Sequence, residues 1–375
     1  MKSYSIRLQS DVSKSYRCTR AANSLDIDVE KKSIHEFVVS ADFETPYNIG
    51  LIVGASGSGK TTFAKQVFGD DVFRTHLDLS RPVIDQLPES MSYDECAHAL
   101  NGIGLSQVPC WIRPAYTLSN GQRARAEAVL AMHAPEKHVV IDEWTSVVDR
   151  TVAKAMSYAL QKYARRSSKR VTLLSCHYDV IDWLEPDWIL DCNSQTFTHL
   201  PRGSLCRSEK LFFDVREVSG STWKRFSKYH YLSDRLPGGK NYYYGLFHGD
   251  QQIGFQCFTN YIPQQKKTYH SNRTVIHPDY VGFGLGMQLI NLTSHLMSEK
   301  GFRIMARFSS TPVYRAMIKH PDWRLKESTY QIGNSRARTS QLNRKKTVRA
   351  NLRIYSFEFK PLSGVQHDKT GEERN

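Results

Sequence analysis

The sequence predicts two α/β domains in tandem: a parallel-sheet domain over residues 1–205 and an α+β domain with a mixed sheet over residues 206–365, then a disordered tail at 366–375. Three observations lead there. The chain has 375 residues, enough for two domains of roughly 100–200 residues with a buried core in each. In the first half, short apolar runs at 48–53, 138–141 and 171–175 alternate with helical patterns, as strands buried on both faces of a parallel sheet do. After a polar linker near 203–210 the pattern changes to strands joined by tight turns.

Residues 1–45 read as short strands and turns leading into the buried strand at 48–53. A glycine-rich turn follows, then a helix from about Lys60. A second helix opens at Ser119 and runs through Arg123, Ala126 and Leu130. The strand at 138–141 ends in Asp142-Glu143, and a helix at 151–164 precedes the strand at 171–175. Two closing strands follow Asp187. In the second half, 211–218 is strand-like and 221–232 helical, and 242–248 and 252–259 form a hairpin about Gly249-Asp250. A strand at 273–276, a glycine turn, a helix at 285–300 and a strand at 303–308 complete the pattern.

Composition narrows the class. With 40% hydrophobic and 23% charged residues the chain is an ordinary globular protein. No stretch nears the ~18–20 apolar residues of a membrane helix, and the first 17 residues lack an apolar core. Seven scattered cysteines without a CxxC pair point to free thiols. The expectation is therefore a cytoplasmic protein without membrane insertion.

The net charge of +14 is unevenly spread, at −2 for residues 1–200 and +16 for residues 201–375. Arg336, Arg338, Arg344, Lys345, Lys346 and Arg349 lie in one stretch without an acid among them. Such a run is a solvated loop or a contact surface for phosphate backbones, and the interleaved aromatics favour DNA or RNA as a partner.

Gly54-Ala55-Ser56-Gly57-Ser58-Gly59-Lys60-Thr61 fits GxxxxGK[ST] between a buried strand and a helix. The glycines let backbone N–H groups converge on phosphate oxygens, Lys60 adds charge, and the Thr61 hydroxyl suits Mg²⁺. Thr62 closes the run. Asp142 can hold the cation, and Glu143 can polarise an attacking water. Leu118-Ser119-Asn120-Gly121-Gln122, between these two motifs, resembles the LSGGQ signature of ABC ATPases at four of five positions. Ser146-Val147-Val148-Asp149 resembles that family's D-loop, and His177 its switch histidine. The resemblance implies ATP hydrolysis with Mg²⁺, Glu143 and His177 at the reacting phosphate, and Ser119, Gly121, Gln122 and Asp149 at the nucleotide. It implies a head-to-tail homodimer, because each signature closes on ATP held by a partner. It places the glutamine-loop residue, a cation ligand with Thr61 and Asp142, at Gln86 rather than Gln107. Gln86 is nearer the P-loop than the family spacing, and no aromatic stands at the usual adenine-stacking distance, Tyr16 being too far away.

Thr274-Val275-Ile276-His277-Pro278, then Gly282-Phe283-Gly284-Leu285-Gly286 and an amphipathic stretch at 287–297, resemble the coenzyme A site of GNAT acetyltransferases. The resemblance implies a splayed sheet, acetyl-CoA as cofactor, and binding through Ile276, Gly282, Phe283, Gly284, Leu285 and Gly286 at a helix N-terminus. Val281 stands where the family has Arg or Gln. Tyr314 stands about a turn before the family's general-acid tyrosine, where Met317 or Ile318 falls. His230, in the first helical region, is the acid/base candidate on the acceptor side.

The whole resembles ABC–GNAT fusions of phages and prokaryotes. Three functions follow: an ATP-coupled acyltransferase acting on nucleic acid or an associated target; a DNA- or RNA-maintenance ATPase whose second domain is a non-catalytic nucleic-acid module; and the ATPase subunit of a transporter, disfavoured by the basic second half and the short region around Gln86.

Overall fold

The computed structural model describes residues 1–9, 13, 15–24, 34–73, 77–201, 211–230, 235–260, 267–331 and 352–361. The six cysteines among them are free thiols. The chain divides into two compact units, Met1–Met91 with Gly102–Leu105 and Cys110–Glu209, and Ser92–Asn101 with Ser106–Pro109 and Lys210–Asn375. No described helix is long and apolar enough to cross a membrane.

The first unit opens with β1 (Lys2–Gln9), α1 (Tyr16–Ser24) and β2 (Ile34–Ala41), the two strands pairing antiparallel. Next come β3 (Ile49–Val53), α2 (Lys60–Phe68), α3 (Tyr93–Gly102, clustered with the second unit), α4 (Val108–Ile112), α5 (Asn120–His133) and β4 (His138–Ile141). The series ends with α6 (Arg150–Ala164), β5 (Arg170–Ser175), α7 (Val180–Leu184), β6 (Trp188–Asp191) and β7 (Thr196–His199). The main sheet has the order β4-β5-β3-β6-β7. Its first four strands are parallel, and β7 turns back antiparallel on β6. All five residues of β3 are buried, as in a central strand covered on both faces, and Ile52 shares its cluster with Phe37 and Val39 of β2 and Phe63 and Ala64 of α2. Beside β3 the core is aromatic. Trp188 meets Phe43 at 5.0 Å and Tyr47 at 5.3 Å between ring centres, and it lies directly over the backbone of its strand partner Gly50.

The second unit runs β8 (Asp214–Glu217), α8 (Trp223–Phe226), β9 (Lys240–His248), β10 (Gln251–Asn260), β11 (Thr268–Ile276), α9 (Leu285–Glu299), β12 (Arg303–Phe308), α10 (Thr311–Met317), β13 (Trp323–Gln331) and β14 (Leu352–Phe359). The sheet order is β13-β14-β12-β11-β10-β9-β8, antiparallel except for the β11/β12 pair. The hairpin about Gly249-Asp250 forms as expected. The helix expected over 221–232 is realised only as short turns, and residues 231–232 lie outside the described residues. Residues 220–229 instead make two 3₁₀ turns around the single turn α8, with only Trp223 and Phe226 driven into the core. Two apolar anchors three residues apart need just one turn, so packing does not reward a longer helix.

Candidate functional site

The topology gathers the first constellation. In the order β4-β5-β3 the three parallel strands release their chains at one edge: Glu143 after β4, His177 after β5 and the glycine loop after β3. Open α/β sheets bind ligands at the carboxyl ends of their strands. Gly54, Gly57 and Gly59 have φ of 153°, 80° and 87°, conformations that side chains resist, so the loop can curl its amides inward. A Cβ on Gly54 would come within 2.5 Å of Ser58 Oγ. Lys60 is buried, and its Nζ donates to the carbonyls of Gly54 (2.8 Å) and Ala55 (2.9 Å), which centres the ammonium in the loop. Thr61 Oγ1 donates to Asp142 Oδ2 at 2.8 Å, and Asp142 Oδ1 accepts from Glu143 N at 2.8 Å.

Ser175 binds the other two exits together. Its hydroxyl donates to Trp144 O at 3.1 Å and accepts from His177 N at 3.1 Å. Glu143 has φ 53° and Thr145 φ 67°, so the chain turns sharply just where the carboxylate stands. Trp144 is held by N–H to Leu174 O at 2.8 Å and by Nε1 to Ser157 Oγ at 3.0 Å.

Ser119 caps α5. It accepts from Gln122 N at 3.4 Å, and Gln122 Oε1 accepts from Ser119 N at 3.1 Å. Asp149 caps α6, accepting from Val152 N at 3.0 Å. A Cβ on Gly121 would lie 3.1 Å from Val152 and 3.6 Å from Val148, so the signature and D-loop segments are packed neighbours.

The Thr61 hydroxyl and Asp142 carboxylate are hard oxygen donors suited to Mg²⁺, which takes few protein ligands and completes its shell with phosphate and water. No group of three or more His, Cys, Asp or Glu side chains that could hold a metal ion exists among the described residues. Ser58 Oγ is buried there without a hydrogen-bond partner, as an atom awaiting a phosphate oxygen would be. Gln86, expected as a cation ligand, has its amide engaged in its own loop. Its Oε1 accepts from Asp78 N at 2.8 Å, and its Nε2 donates to Asp78 O (2.9 Å), Arg81 O (3.1 Å) and Pro82 O (3.3 Å). Both ends of the amide close its own loop.

The second constellation arises where β11 leaves β12. They pair only from Thr268↔Arg303 to Ser271↔Ala306. Beyond that β11 follows β10 to Ile276, while β12 follows β14 to Phe308, and the sheet opens as a wedge. The register slips between Cys257 and Phe258, leaving Asn272 as a bulge at the point of divergence. The turn after β11 has Gly282 at φ 118° and Gly284 at φ 78°, and Gly284 caps α9. A Cβ on Gly284 would meet nothing within 4 Å, and one on Gly286 only Ile276 at 3.9 Å, so the cradle is open to a ligand. Leu285 is buried beneath it, with Ile276 and Phe283 packed alongside.

Two acid/base candidates lie in this unit. His230 packs edge-on to Trp223 at 5.6 Å; burial, and then the Arg273 guanidinium, hold its pKa down at about 4. Such an imidazole is neutral near pH 7, which leaves it a base or a hydrogen-bond partner rather than a proton donor from the imidazolium form. Tyr314 is stacked on Tyr355 at 4.2 Å beside Phe357, as core packing. The basic run from Arg336 to Arg349 lies outside the described residues, as does the tail at 366–375.

Sequence reading missed Tyr178, Asp191 and Asn193. Asn193 accepts from the P-loop amide of Ala55 at 3.1 Å across 138 residues, a separation at which no motif spacing can speak.

No family model matches the chain. The energy-coupling factor transporter ATP-binding protein EcfA1 of Leuconostoc mesenteroides is 25% identical over 197 residues, covering 42% of this chain and 72% of the relative. A dimeric ATP-binding cassette in a post-hydrolysis state with ADP and Pi is 16% identical, TM-score 0.36, over 44% of this chain and 93% of that one. A GNAT family acetyltransferase from Elizabethkingia anophelis with acetyl-CoA bound is 10% identical, TM-score 0.30, over 40% and 100%. By its motifs and the sequence relative the first unit is similar to ABC ATPases. The second has the opened sheet that its resemblance to GNAT acetyltransferases implies.

Proposed function

We propose that the first unit hydrolyses ATP as a head-to-tail homodimer, and that the second uses acetyl-CoA to acylate nucleic acid or a target bound to it. The observation that carries the ATPase reading is the Thr61–Asp142 hydrogen bond beside the centred Lys60 ammonium, which joins the phosphate cradle to the acidic strand end. In this reading Lys60 and the loop amides neutralise and align the phosphates, Glu143 orients water, and His177 contacts the terminal phosphate. A divalent cation at Thr61 and Asp142 would withdraw charge from the phosphate oxygens. Ser119 and the amides of Gly121 and Gln122 would face the nucleotide of the partner protomer. In the second unit the amides of residues 282–286 would hold the pyrophosphate and the wedge would receive the thioester arm. The +16 charge of residues 201–375 supports a polyanionic target.

Phosphate release should be abolished by Lys60→Ala, and titration calorimetry should show coenzyme A binding that Gly284→Glu removes. Wild-type protein that releases no phosphate, with or without DNA or RNA, defeats the ATPase reading. Wild type that binds no coenzyme A leaves the second unit as a nucleic-acid module, which Val281 in place of a charged pyrophosphate ligand favours. The EcfA1 relative favours a transporter subunit instead, and co-purification with a membrane protein would establish that.

A further inference from the structure

The turn between β6 and β7 reaches the glycine loop through Asn193, and Tyr178 after β5 and Asp191 at the end of β6 are tied to it, three side chains that no motif covers. Ala55 N can only donate, so the Asn193 atom that accepts from it at 3.1 Å is Oδ1, which fixes the amide's orientation. Asn193 Nδ2 therefore donates to Tyr178 OH at 3.0 Å, and Tyr178 OH donates onward to Asp191 Oδ1 at 2.9 Å. Asp191 Oδ1 also accepts from Asn193 N at 2.8 Å, which closes the turn on itself. Every proton in this chain has one available direction. Partial burial and the Asp191 carboxylate push the Tyr178 pKa up, so the phenol keeps its proton through the physiological range.

We propose that Tyr178 and Asn193 are positioning residues that lock the His177 segment to the glycine loop, so that the site distinguishes a nucleotide with a terminal phosphate from one without. Tyr178 follows His177 directly, and Asn193 holds the second residue of the loop. A displacement of either is felt by the other through two hydrogen bonds and one peptide unit. The proposal rests on the ATP-binding reading of the site.

The test compares dissociation constants of the full chain for a non-hydrolysable ATP analogue and for ADP, both with Mg²⁺, by calorimetry. Tyr178→Phe keeps the ring and removes only the hydroxyl. It should weaken the ATP analogue about tenfold, the loss of one hydrogen bond, while ADP stays within about twofold. Asn193→Ala should give the same pattern, and the double variant should be no worse than the weaker single variant. Unfolding temperatures measured alongside report any general damage, which weakens both nucleotides equally. Equal weakening, no weakening, or additive effects in the double variant overturn the proposal. Both constants are read without turnover, so a wild type that binds nucleotide but releases no phosphate counts against the ATPase reading alone. A wild type that binds neither nucleotide overturns both.

Discussion

Thr61 and Asp142 meet across 2.8 Å although 81 residues separate them, and the chemistry of the first unit turns on such single contacts. The same scale governs its response to acid. His138 is half-buried on β4 and shares its Nε2 with Thr172 Oγ1 at 2.9 Å and Tyr47 OH at 3.2 Å. Burial, then the Arg170 charge, lowers its pKa to about 4, and His230 is held at about 4 by burial and Arg273. An unfolded histidine takes up its proton near pH ~6.5, whereas these two resist it until about pH 4. The unfolded state therefore binds more protons in that interval. Stability contributed by the neutral imidazoles is complete above pH ~6.5 and is lost progressively as the pH falls toward 4, by about 3 kcal/mol at most for His138. Urea midpoints should fall between pH 7 and 4.5, and His138→Gln should flatten that slope. An unchanged slope in the variant would refute this account. The Asp187 carboxylate acts elsewhere. Burial raises its pKa, but the Ile49 and Asn48 amides and Arg165 more than offset this, so its contribution is lost only at more acidic pH.

At the scale of the element, β3 is buried at all five residues. Gly50 is glycine for lack of room rather than for its backbone angles, because a Cβ there would sit 2.1 Å from the Trp188 ring. That ring is wedged among Phe43, Tyr47 and Phe197 and cannot retreat. Gly50→Ala should cost about 2–3 kcal/mol, as overpacking does, and lower the unfolding temperature of the first unit by several degrees in calorimetry. The two glycine loops respond differently. Gly284 has open space and a left-handed backbone, so a small side chain there strains the turn without a clash and acts mainly on what binds above it. In α5, the Ser119–Gln122 capping box links the stability of a helix to a candidate nucleotide contact, so the two roles of Ser119 need separate measurements.

For the whole molecule, one P-loop and one signature per chain make pairing of two copies a requirement of the proposed ATPase. Glu143→Gln should bind MgATP, release phosphate at least about 100-fold more slowly, and double its apparent mass in size-exclusion chromatography with light scattering. ADP should leave it a monomer. A variant that stays monomeric at saturating MgATP would remove the basis for the paired site. The charge asymmetry makes a separate contribution at this scale, since −2 in the first 200 residues and +16 in the remainder favour the second half for the proposed nucleic-acid contact.

Local motifs made much of the molecule legible. The strand at 138–141, the Ser119 cap, the helix start at Lys60 and the strand at 303–308 were readable because apolar period, caps and glycine turns act over a few residues. The pairing of Thr61 with Asp142 was implied by motif order alone. Only tertiary structure decided what depends on distant neighbours. It closed Gln86 onto its own loop, set His230 against Trp223 where burial keeps the imidazole neutral, and stacked Tyr314 on Tyr355. It also brought Asn193 to Ala55, and it opened β11 from β12 at a bulge that no periodicity marks. A residue's type and spacing limit what it can do. Burial and hydrogen-bond partners, which the sequence does not encode locally, determine which of those possibilities is realised.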